Sequence, residues 1–513
     1  MAIPDTTRVI CRSGAIAGPV APGACSMRGT FVLPGLFRMA PAAAIRIDAE
    51  ASRAFAALSG DHNPLHLEPG IARRLIFGGT VTHGVHVLLA ALDRLAVAQA
   101  RPMSLRRLTA EFSQPIATDD DFTVTAELTG KGRASVIVEC GRRAAQKITC
   151  EFDEGREDAR LPARIEPPLC RNLSFAEASA ASGAVPLWLD PGRAAALFPS
   201  LCLWLPPRQL AVLLATTRIV GMECPGLNSV FSGLDVSFAA PDAAAEPVLK
   251  YRTEKHDARF SLLKVAVSGL GALGILTVRY RPPPVTQLDL AKARSMLQGD
   301  EFLRQRALII GGSRGLGEVT AKLVAAGGGE VWITYHSGAA ESDRLAEELA
   351  PTGRFRGACS YDVLGEARND RLAALPWRPT HLYYFATPPI RINANSVWSH
   401  EALCRYLNYY SGGLFRLLQD LKAVEADGKE PLAVLYPSTV FIDKPARGFA
   451  EYAAAKAAGE VMCRSLAARF PSLRFSCPRL PRMLTDQTND LGPGSQRPPD
   501  PSGIILPLLR DLA

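Results

Sequence analysis

The spacing of apolar and polar residues changes along the chain, and each spacing predicts a different arrangement of helices and strands. Residues 44–165 contain a long apolar helix pattern that begins near Gly84, followed by strand patterns at 105–112, 122–128, 135–140 and 147–152. Residues 166–281 repeat this order, with a helix pattern at 208–220 and strand patterns at 228–238, 248–255, 260–268 and 272–280. A central helix followed by long antiparallel strands predicts two α+β domains of one plan. From residue 304 strand and helix patterns alternate, which predicts an α/β domain with a parallel, doubly wound sheet.

Proline-rich segments separate these regions. Residues 1–43 form an extension with a weak pattern and no assigned role. Glu166, Pro167 and Pro168 mark the boundary between the first two domains, 44–165 and 166–281. Three prolines at 282–284 begin a linker, 282–303, and we expect its stiff polyproline character to hold the last domain, 304–513, apart from the others.

An irregular turn near the start of the first domain places acid, amide and imidazole side chains close together. Asp61, Asn63 and His66 lie within six residues, and Pro64 between them cannot continue a helix. Such a turn can direct a carboxylate and an imidazole at one small volume, as adding or removing water requires. The helix that begins near Gly84 has amide groups at its start that can hold a thioester oxygen as negative charge develops on it.

This constellation resembles the (R)-specific enoyl-CoA hydratases, the MaoC-like branch of the hot-dog fold. The resemblance follows the segment FAALSGDHNPLHLEPGIA at 55–72, which includes Asn63, and then the His83-Gly84 pair. It implies that Asp61 and His66 hold and activate the catalytic water. It also implies that the amide of Gly84 binds the thioester oxygen.

The second domain has no counterpart of this turn. With its repeated order of helix and strands, it resembles the non-catalytic half of a double hot-dog, in which one half supplies the chemistry and the other walls the acyl tunnel. The resemblance therefore predicts an α+β hot-dog, doubled, followed by an α/β domain of the Rossmann type.

A glycine-rich turn follows the first predicted strand of the last domain. In the segment RALIIGGSRGLGEVTAKL, the glycines at 311, 315 and 317 let the backbone approach a pyrophosphate, and the helix start favours its negative charge. Further along, Tyr452 and Lys456 lie one helical turn apart and therefore on one face. Ser438 lies fourteen residues before Tyr452, and Asn408 falls on the preceding predicted helix.

This set resembles the short-chain dehydrogenase/reductases over about residues 304–490. In that family a tyrosine protonates the substrate oxygen as hydride arrives from the nicotinamide, and a lysine lowers the tyrosine pKa and holds the ribose. A serine orients the carbonyl, and an asparagine supports a water relay. The resemblance implies these roles for Tyr452, Lys456, Ser438 and Asn408.

The end of the second strand of this domain indicates the cofactor. An NAD-selective site places an acid there to bond the ribose 2′-hydroxyl, but this strand ends in Tyr335, His336 and Ser337. Arg314 in the glycine turn can instead reach a 2′-phosphate, which predicts NADPH. The remaining expected cofactor contacts, several of them implied by the resemblance, are Gly311, Ser313, Gly315, Leu316, Gly317, Asp362, Val363, Tyr452 and Lys456.

Composition narrows the range of partners. The net charge of +8 over 513 residues is spread along the sequence, which argues against nucleic acid as a ligand. No apolar stretch is long enough to cross a membrane, and the eleven cysteines include no CxxC pair, which is typical of reduced thiols in the cytoplasm. We expect an acyl thioester on an acyl carrier protein or coenzyme A as substrate, a homodimer, and no metal.

Cellular NADPH drives reduction, so our leading hypothesis is a bifunctional enzyme of fatty-acid or polyketide-type biosynthesis. It would reduce a β-ketoacyl thioester and then dehydrate the (3R)-hydroxyacyl product to a trans-2-enoyl thioester. A second hypothesis is hydration followed by oxidation, as in β-oxidation, which needs NAD.

A third hypothesis places an active hydratase beside a nucleotide-binding domain without turnover, because the family's Asn-Asn-Ala-Gly is replaced by FATPP at 385–389. A fourth makes the hot-dog half a passive acyl-binding module.

Overall fold

The computed structural model describes residues 37–38, 44–97, 102–130, 132–141, 143–155, 161–163, 166, 169–241, 245–365, 369–390, 398–423, 431–489 and 498–513. Most of the expected extension at 1–43 and the proposed boundary at 165 lie outside these residues. Within the described ranges, none of the helices combines the length and apolar character needed to cross a bilayer.

In the described part of the chain, the first region consists of four helices and a set of long antiparallel strands. Its helices are α1 (Ala49–Ser59), α2 (Pro64–Leu67), α3 (Pro69–Ala72) and α4 (Gly84–Val97). Its strands are β1 (Phe37–Arg38), β2 (Ile45–Arg46), β3 (Met103–Phe112), β4 (Asp121–Leu128), β5 (Arg133–Cys140) and β6 (Arg143–Glu154). The strand predictions for this region are confirmed, with ends extended by up to four residues.

The second region repeats the plan. Its helices are α5 (Phe175–Ser179), α6 (Pro191–Leu197), α7 (Pro199–Trp204) and α8 (Pro207–Arg218), with a π-helical turn at Ile219–Glu223. Its strands are β7 (Ser182–Pro186), β8 (Ser229–Phe238), β9 (Val248–Asp257), β10 (Leu262–Gly269) and β11 (Ala272–Tyr280), with a short 3-10 turn at Ala258–Phe260. The predicted helix at 208–220 is confirmed, and its last residues belong to the wider π turn.

The strands of both regions form one antiparallel sheet. Its order is β1-β4-β5-β6-β3-β8-β11-β10-β9-β7, and β2 pairs with β4. The order β4-β5-β6-β3 is mirrored by β9-β10-β11-β8, and the two halves join where β3 pairs with β8. The buried apolar faces of α4 and α8 belong to one continuous hydrophobic core with this sheet. The two halves therefore fold as a single unit.

The last region alternates strands and helices. Its helices are α9 (Leu290–Ser295), α10 (Gly315–Ala326), α11 (Ala339–Leu349), α12 (Asn369–Leu372), α13 (His400–Leu407), α14 (Leu414–Asp420), α15 (Ala450–Arg469) and α16 (Ser502–Leu512). Shorter turns lie at Ala350–Thr352, Asn408–Gly413 and Val440–Ile442. Its strands are β12 (Arg306–Ile310), β13 (Glu330–Tyr335), β14 (Phe355–Ser360), β15 (His381–Tyr384), β16 (Leu432–Leu435), β17 (Ser438–Thr439), β18 (Leu473–Ser476) and β19 (Arg479–Leu480).

The main sheet of this region is parallel, with the order β14-β13-β12-β15-β16-β18. Counted along the chain, this is the 3-2-1-4-5-6 order of doubly wound dinucleotide-binding folds. The predicted α/β domain is therefore confirmed. In such sheets ligands bind outside the carboxyl ends of the strands, and the glycine turn between β12 and α10 lies at that edge.

The segment after the three prolines is packed against the last region, which corrects the expectation of a spacer. The Val285 amide donates to Asp486 Oδ1 at 2.8 Å, and the buried Gln287 side chain donates to the Leu484 carbonyl at 3.2 Å. Phe302 is fully buried in the core beneath α10. Polyproline stiffness applies only to the prolines themselves, and the apolar residues that follow bury their surface against the α/β sheet.

Candidate functional site

The turn between α1 and α2 is built by its caps. Helix α1 ends at Gly60, whose φ of 77° is in the left-handed region, and the chain then turns sharply into Asp61. Asn63 caps α2, because its side-chain oxygen accepts the Leu65 amide at 3.0 Å. The sequence GDHNP therefore places Asp61 at a fixed point between two helix ends.

Asp61 is held in place by the second half of the long sheet. Its exposed fraction is 1%, and its Oδ2 accepts a hydrogen bond from Thr217 Oγ1 at 2.7 Å. A β-carbon on Gly221, in the π turn after α8, would overlap the Asp61 carboxylate, so only glycine fits there. Thr217 and Gly221 were missed by sequence reasoning because they lie about 150 residues from the turn, although α8 itself was predicted.

Asn63 connects the same two halves. Its side-chain nitrogen donates to the carbonyl oxygens of Gly221 and Gly226, both at 3.1 Å. Together with the capping bond to Leu65, these contacts use both ends of the buried amide. Asn63 is therefore a positioning residue, whose backbone amide also donates to Asp61 Oδ1 at 3.2 Å.

His66 lies beside Asp61 in a defined orientation. Its Nδ1 is 2.7 Å from the Val81 carbonyl, which can only accept, so Nδ1 carries the proton and Nε2 is the basic nitrogen. His83 stacks on the His66 ring with centroids 3.8 Å apart, and its Nε2 is 3.1 Å from the backbone oxygen of Asp61. The turn thus brings one carboxylate and one imidazole together, as predicted.

Burial shifts the pKa values of this pair in opposite directions. Loss of solvent raises the pKa of Asp61 above its ordinary value, with the His66 charge and the Thr217 hydrogen bond acting in the opposite direction. Loss of solvent lowers the pKa of His66, opposed by the Asp61 charge. Both shifts favour the uncharged forms, a carboxylic acid beside a neutral imidazole. Such a pair can give one proton and take another.

Asp61, His66 and His83 also place possible ligand atoms within 4.8 Å of one another, a grouping that could hold a cation. The two imidazole planes are inclined by only 26°. Since ring lone pairs lie in the ring plane, stacked rings direct them side by side rather than toward a common centre. We therefore interpret the group as a proton-transfer site.

Gly84 begins α4 directly after His83, so the start of this helix lies beside the turn. A β-carbon on Gly84 would lie 3.0 Å from Phe112 Cδ2, and the Gly84 carbonyl accepts a hydrogen bond from Gln146 Nε2 at 2.8 Å. The first amides of a helix have no partner within it and carry the positive end of its dipole. The position suits an oxygen on which negative charge develops.

We expect Thr217→Val to lower the hydration rate by roughly tenfold, because a hydrogen bond to a buried carboxylate is lost. The variant should also move the alkaline limb of the pH–rate profile to higher pH, since that bond lowers the pKa of Asp61. The measurement is hydration of an enoyl thioester across the pH range. Thr216→Val is the matched control, because Thr216 is also buried and its hydroxyl donates to the Leu213 carbonyl of its own helix.

We also expect this domain to lose stability as the pH falls below about 6.5. Burial lowers the pKa values of His66, His83 and His86, and it lowers that of His86 to about 3. At mildly acidic pH these histidines are therefore protonated in the unfolded chain and neutral in the folded chain. Each such histidine contributes a slope of about 1.4 kcal/mol per pH unit between its unfolded and folded pKa values. Asp61 acts in the opposite direction, because its raised pKa contributes stability that is lost as the pH rises.

The unfolding temperature measured from neutral to mildly acidic pH tests this expectation. His86→Phe should flatten the dependence, because His86 stacks on Phe55 with centroids 4.5 Å apart and a phenyl ring keeps that packing. An unchanged slope in this variant would contradict the assignment.

The glycine turn of the last region fits a dinucleotide. Gly311 and Gly315 have φ values of 73° and 60°, and a β-carbon on Gly317 would overlap the Gly311 carbonyl, so α10 approaches the strand as closely as possible. Among the described residues, the buried Nη1 of Arg314 has no hydrogen-bond partner. A buried guanidinium nitrogen without a partner suits an anionic ligand.

The other expected nucleotide contacts lie at the same edge of the sheet. His336 and Ser337 are exposed at the end of β13, Tyr335 is half-buried, and His336 Nδ1 is 4.0 Å from Asp362 Oδ2. Val363 beside Asp362 is buried. These residues would hold the adenosine end of a nucleotide.

Tyr452 and Lys456 lie on one face of α15, as predicted. The hydroxyl that bonds Tyr452 belongs to Thr439, and burial raises the pKa of Tyr452 to about 12. Ser438, the predicted partner, instead donates to Glu460 Oε1 at 2.5 Å. Successive residues of a strand face opposite sides. Thr439 therefore faces Tyr452, whereas its neighbour Ser438 faces away from it.

Asn408 is exposed, and its role in a water relay stays a prediction. The π turn that begins at Asn408 directs Tyr410 inward instead, and Lys456 Nζ lies 3.8 Å from the centre of the Tyr410 ring. Lys456 Nζ also donates to the Pro437 carbonyl at 2.7 Å, and burial lowers the pKa of Lys456 to about 7.

The segment FATPP, which departs from the short-chain reductase pattern, contacts the π turn. Thr387, in this segment, and Tyr410, in the π turn, bond through their hydroxyl oxygens, which are 2.7 Å apart. The changed segment is therefore joined to the residue whose ring lies against Lys456.

Comparison with known proteins supports the sequence resemblance for the first region. Residues 39–147 match the family described as the MaoC like domain. The chain is 34% identical over 76 residues to 3-hydroxyacyl-thioester dehydratase X of Mycobacterium tuberculosis, a match that covers 15% of this chain and 26% of that protein. The chain thus spans about a quarter of the length of this relative.

The comparison with solved structures finds matches to short-chain dehydrogenases. One from Burkholderia cenocepacia, in complex with NADP, is 20% identical, with a TM-score of 0.34, and the match covers 41% of this chain and 91% of that chain. A putative one from Escherichia coli, with NADPH, is 19% identical, with a TM-score of 0.36, and the match covers 42% of this chain and 93% of that chain. At this level of similarity they say nothing about the ligand of this chain.

Proposed function

We propose that the chain reduces a β-ketoacyl thioester with NADPH and dehydrates the resulting (3R)-hydroxyacyl thioester to the trans-2-enoyl thioester. The observation that carries the dehydratase half is the buried pair Asp61 and His66, each oriented by a separate hydrogen bond, from Thr217 and to Val81. The match of residues 39–147 to the MaoC like domain supports the same reaction class.

In the dehydration, neutral His66 takes the proton from the carbon next to the thioester carbonyl through Nε2. Asp61, whose protonated form is favoured by burial, gives its proton to the 3-hydroxyl, the carbon–oxygen bond breaks, and water leaves. The electrons of the broken C–H bond form the new double bond. Transfer of the proton from His66 back to Asp61 restores both groups, and the reverse sequence adds water to the enoyl thioester.

The helix start at Gly84 would hold the thioester oxygen while the carbon next to the carbonyl loses its proton. Negative charge on that oxygen is then stabilised by amides that have no partner inside the helix. The second half would act as the non-catalytic part of a double hot-dog. It adds Thr217 and Gly221 to the site and closes one side of the acyl tunnel.

In the reduction, bound NADPH would provide the hydride that the ketone carbon accepts. Gly311, Gly315, Gly317 and Arg314 would hold its phosphates. Tyr452 Oη would give a proton to the ketone oxygen, and Thr439 would orient that oxygen through its hydroxyl. Lys456, whose pKa near 7 permits proton exchange at neutral pH, would replace the proton of Tyr452.

A second candidate keeps the dehydratase and removes turnover from the last domain. It is favoured by one observation: Thr387, in the FATPP segment that replaces the family's Asn-Asn-Ala-Gly, bonds Tyr410, whose ring lies against Lys456. In this reading the domain binds nucleotide as a structural or regulatory element.

The acyl chain would be carried by coenzyme A or by the phosphopantetheine arm of a carrier protein, because both present a thioester on a long flexible tether. Hydration of a trans-2-enoyl thioester by the full-length protein tests the dehydratase half by itself. We expect (3R)-hydroxyacyl thioester as the product, identified by chiral chromatography. Formation of the 3S product, or no hydration, would refute this half of the proposal.

A further inference from the structure

The loop that follows the catalytic turn of the first domain reaches the nucleotide site of the last domain. Helix α3 ends at Ala72, and the guanidinium of Arg73 then pairs with the carboxylate of Glu341 in α11. Arg74 Nε lies 3.1 Å from Asp486 Oδ2 and 3.9 Å from Glu341 Oε1. The side chains of Arg73 and Glu341 are only 14% and 7% exposed, so the pair is enclosed.

Arg73 lies at the junction of the glycine turn and the end of β13. A β-carbon placed on Gly338 would be 2.5 Å from Ser313 Oγ and 3.5 Å from both Arg73 Nη1 and Glu341 Oε2. Ser313 belongs to the glycine turn, and Gly338 follows the last residues of the second strand. In doubly wound folds this junction receives the 2′ position of the adenosine ribose.

The cluster has more positive than negative charge. Three guanidinium groups, those of Arg73, Arg74 and Arg314, face two carboxylates, those of Glu341 and Asp486. Two of the guanidinium groups have a buried nitrogen without a hydrogen-bond partner in the described part of the chain: Arg73 Nε and Arg314 Nη1. A dianionic group with several acceptor oxygens would satisfy both the charge and the donors.

We propose that Arg73, together with Arg314 and Ser313, binds the 2′-phosphate of NADPH, so that the dehydratase domain completes the cofactor site of the reductase domain. This inference rests on the proposed binding of NADPH. When the phosphate binds, Arg73 pairs with it instead of with Glu341, and Glu341 remains beside Arg74. Selection of NADPH over NADH then depends on a residue that lies outside the nucleotide-binding fold.

The test is a binding titration with the full-length protein, following the fluorescence of NADPH and, separately, of NADH. We expect Arg73→Ala to weaken NADPH at least ~10-fold, as loss of a charged hydrogen bond to phosphate implies, and to leave NADH within about twofold. Arg53→Ala is the matched control, because Arg53 is an exposed arginine on α1 of the same domain. It should leave both affinities unchanged.

Two further variants sharpen the result. Glu341→Gln should tighten NADPH but not NADH, because Arg73 no longer has a competing carboxylate. Arg73→Lys keeps the charge but cannot bind the phosphate in the bidentate geometry of a guanidinium. Its affinity for NADPH should lie between those of the wild type and Arg73→Ala. The inference would be overturned if Arg73→Ala lowered the affinities for NADPH and NADH equally, or if it lowered neither. A wild-type protein that binds neither nucleotide would instead refute the proposed reductase function.

Discussion

Replacing Asp61 with asparagine is expected to lower the rates of enoyl-thioester hydration and of the reverse dehydration by about 10²- to 10⁴-fold, the usual contribution of a positioned proton donor. Asparagine has the same shape, and the Thr217 hydroxyl can reverse its hydrogen bond, so the fold should be kept. What is lost is the proton that Asp61 gives to the leaving hydroxyl. The measurement is the absorbance of the enoyl thioester with time.

Asp121→Asn is the matched control for this variant. Asp121 is an exposed aspartate of the same domain whose partner is Arg46 on the surface, so hydration should be unchanged. Wild-type activity in Asp61→Asn would contradict the assigned chemistry. A wild-type protein that shows no hydration would instead leave the first half of the chain as a passive acyl-binding module.

Replacing Tyr452 with phenylalanine is expected to lower the rate of ketone reduction by about 10²- to 10⁴-fold, while hydration continues at the wild-type rate. The ring packing against Tyr406 and Tyr410 is kept by phenylalanine, and only the hydroxyl that bonds Thr439 is removed. Oxidation of NADPH in the presence of a β-ketoacyl thioester measures the effect.

Tyr409→Phe serves as the control. Tyr409 is the neighbour of Tyr410 on the π turn, and its hydroxyl is not part of the proposed site. If Tyr452→Phe reduces the ketone as fast as the wild type, the assigned proton donor is wrong. If the wild type itself binds NADPH without reducing any ketone, the domain without turnover is the correct account.

The parts of the site that sequence analysis located are the local ones. Asp61, Asn63 and His66 lie close together in the sequence. The glycine after α1 and the proline that begins α2 determine how the chain turns there. Thr217 is different, because its contact with Asp61 exists only after two halves of the sheet have packed together. No spacing within the chain indicates such a pairing.

The reductase residues show the limit of spacing arguments. Ser438 and Thr439 are neighbours on a short strand, and which one meets Tyr452 depends on the face each occupies. Tyr410 lies two residues after Asn408, on the opposite face of the turn. The aromatic residues Tyr406 and Tyr410, four residues apart in the sequence, could have indicated that this face is buried.

The contact between the first and last domains could not be predicted either. Arg73 and Arg74 read as ordinary surface charges in the sequence, and only the folded chain places them beside Glu341 and Asp486. The prolines suggested separation, whereas the buried Gln287 and Phe302 that follow show a packed connection.

The most direct test of the central claim is to incubate the purified chain with a β-ketoacyl thioester and NADPH and to determine the mass of the product. Reduction adds two hydrogens and dehydration removes water, so the account predicts an enoyl thioester that is lighter than the ketone by one oxygen atom, formed with oxidation of NADPH. A product that stays at the mass of the hydroxyacyl thioester, or no oxidation of NADPH, would contradict the claim that one chain carries out both steps.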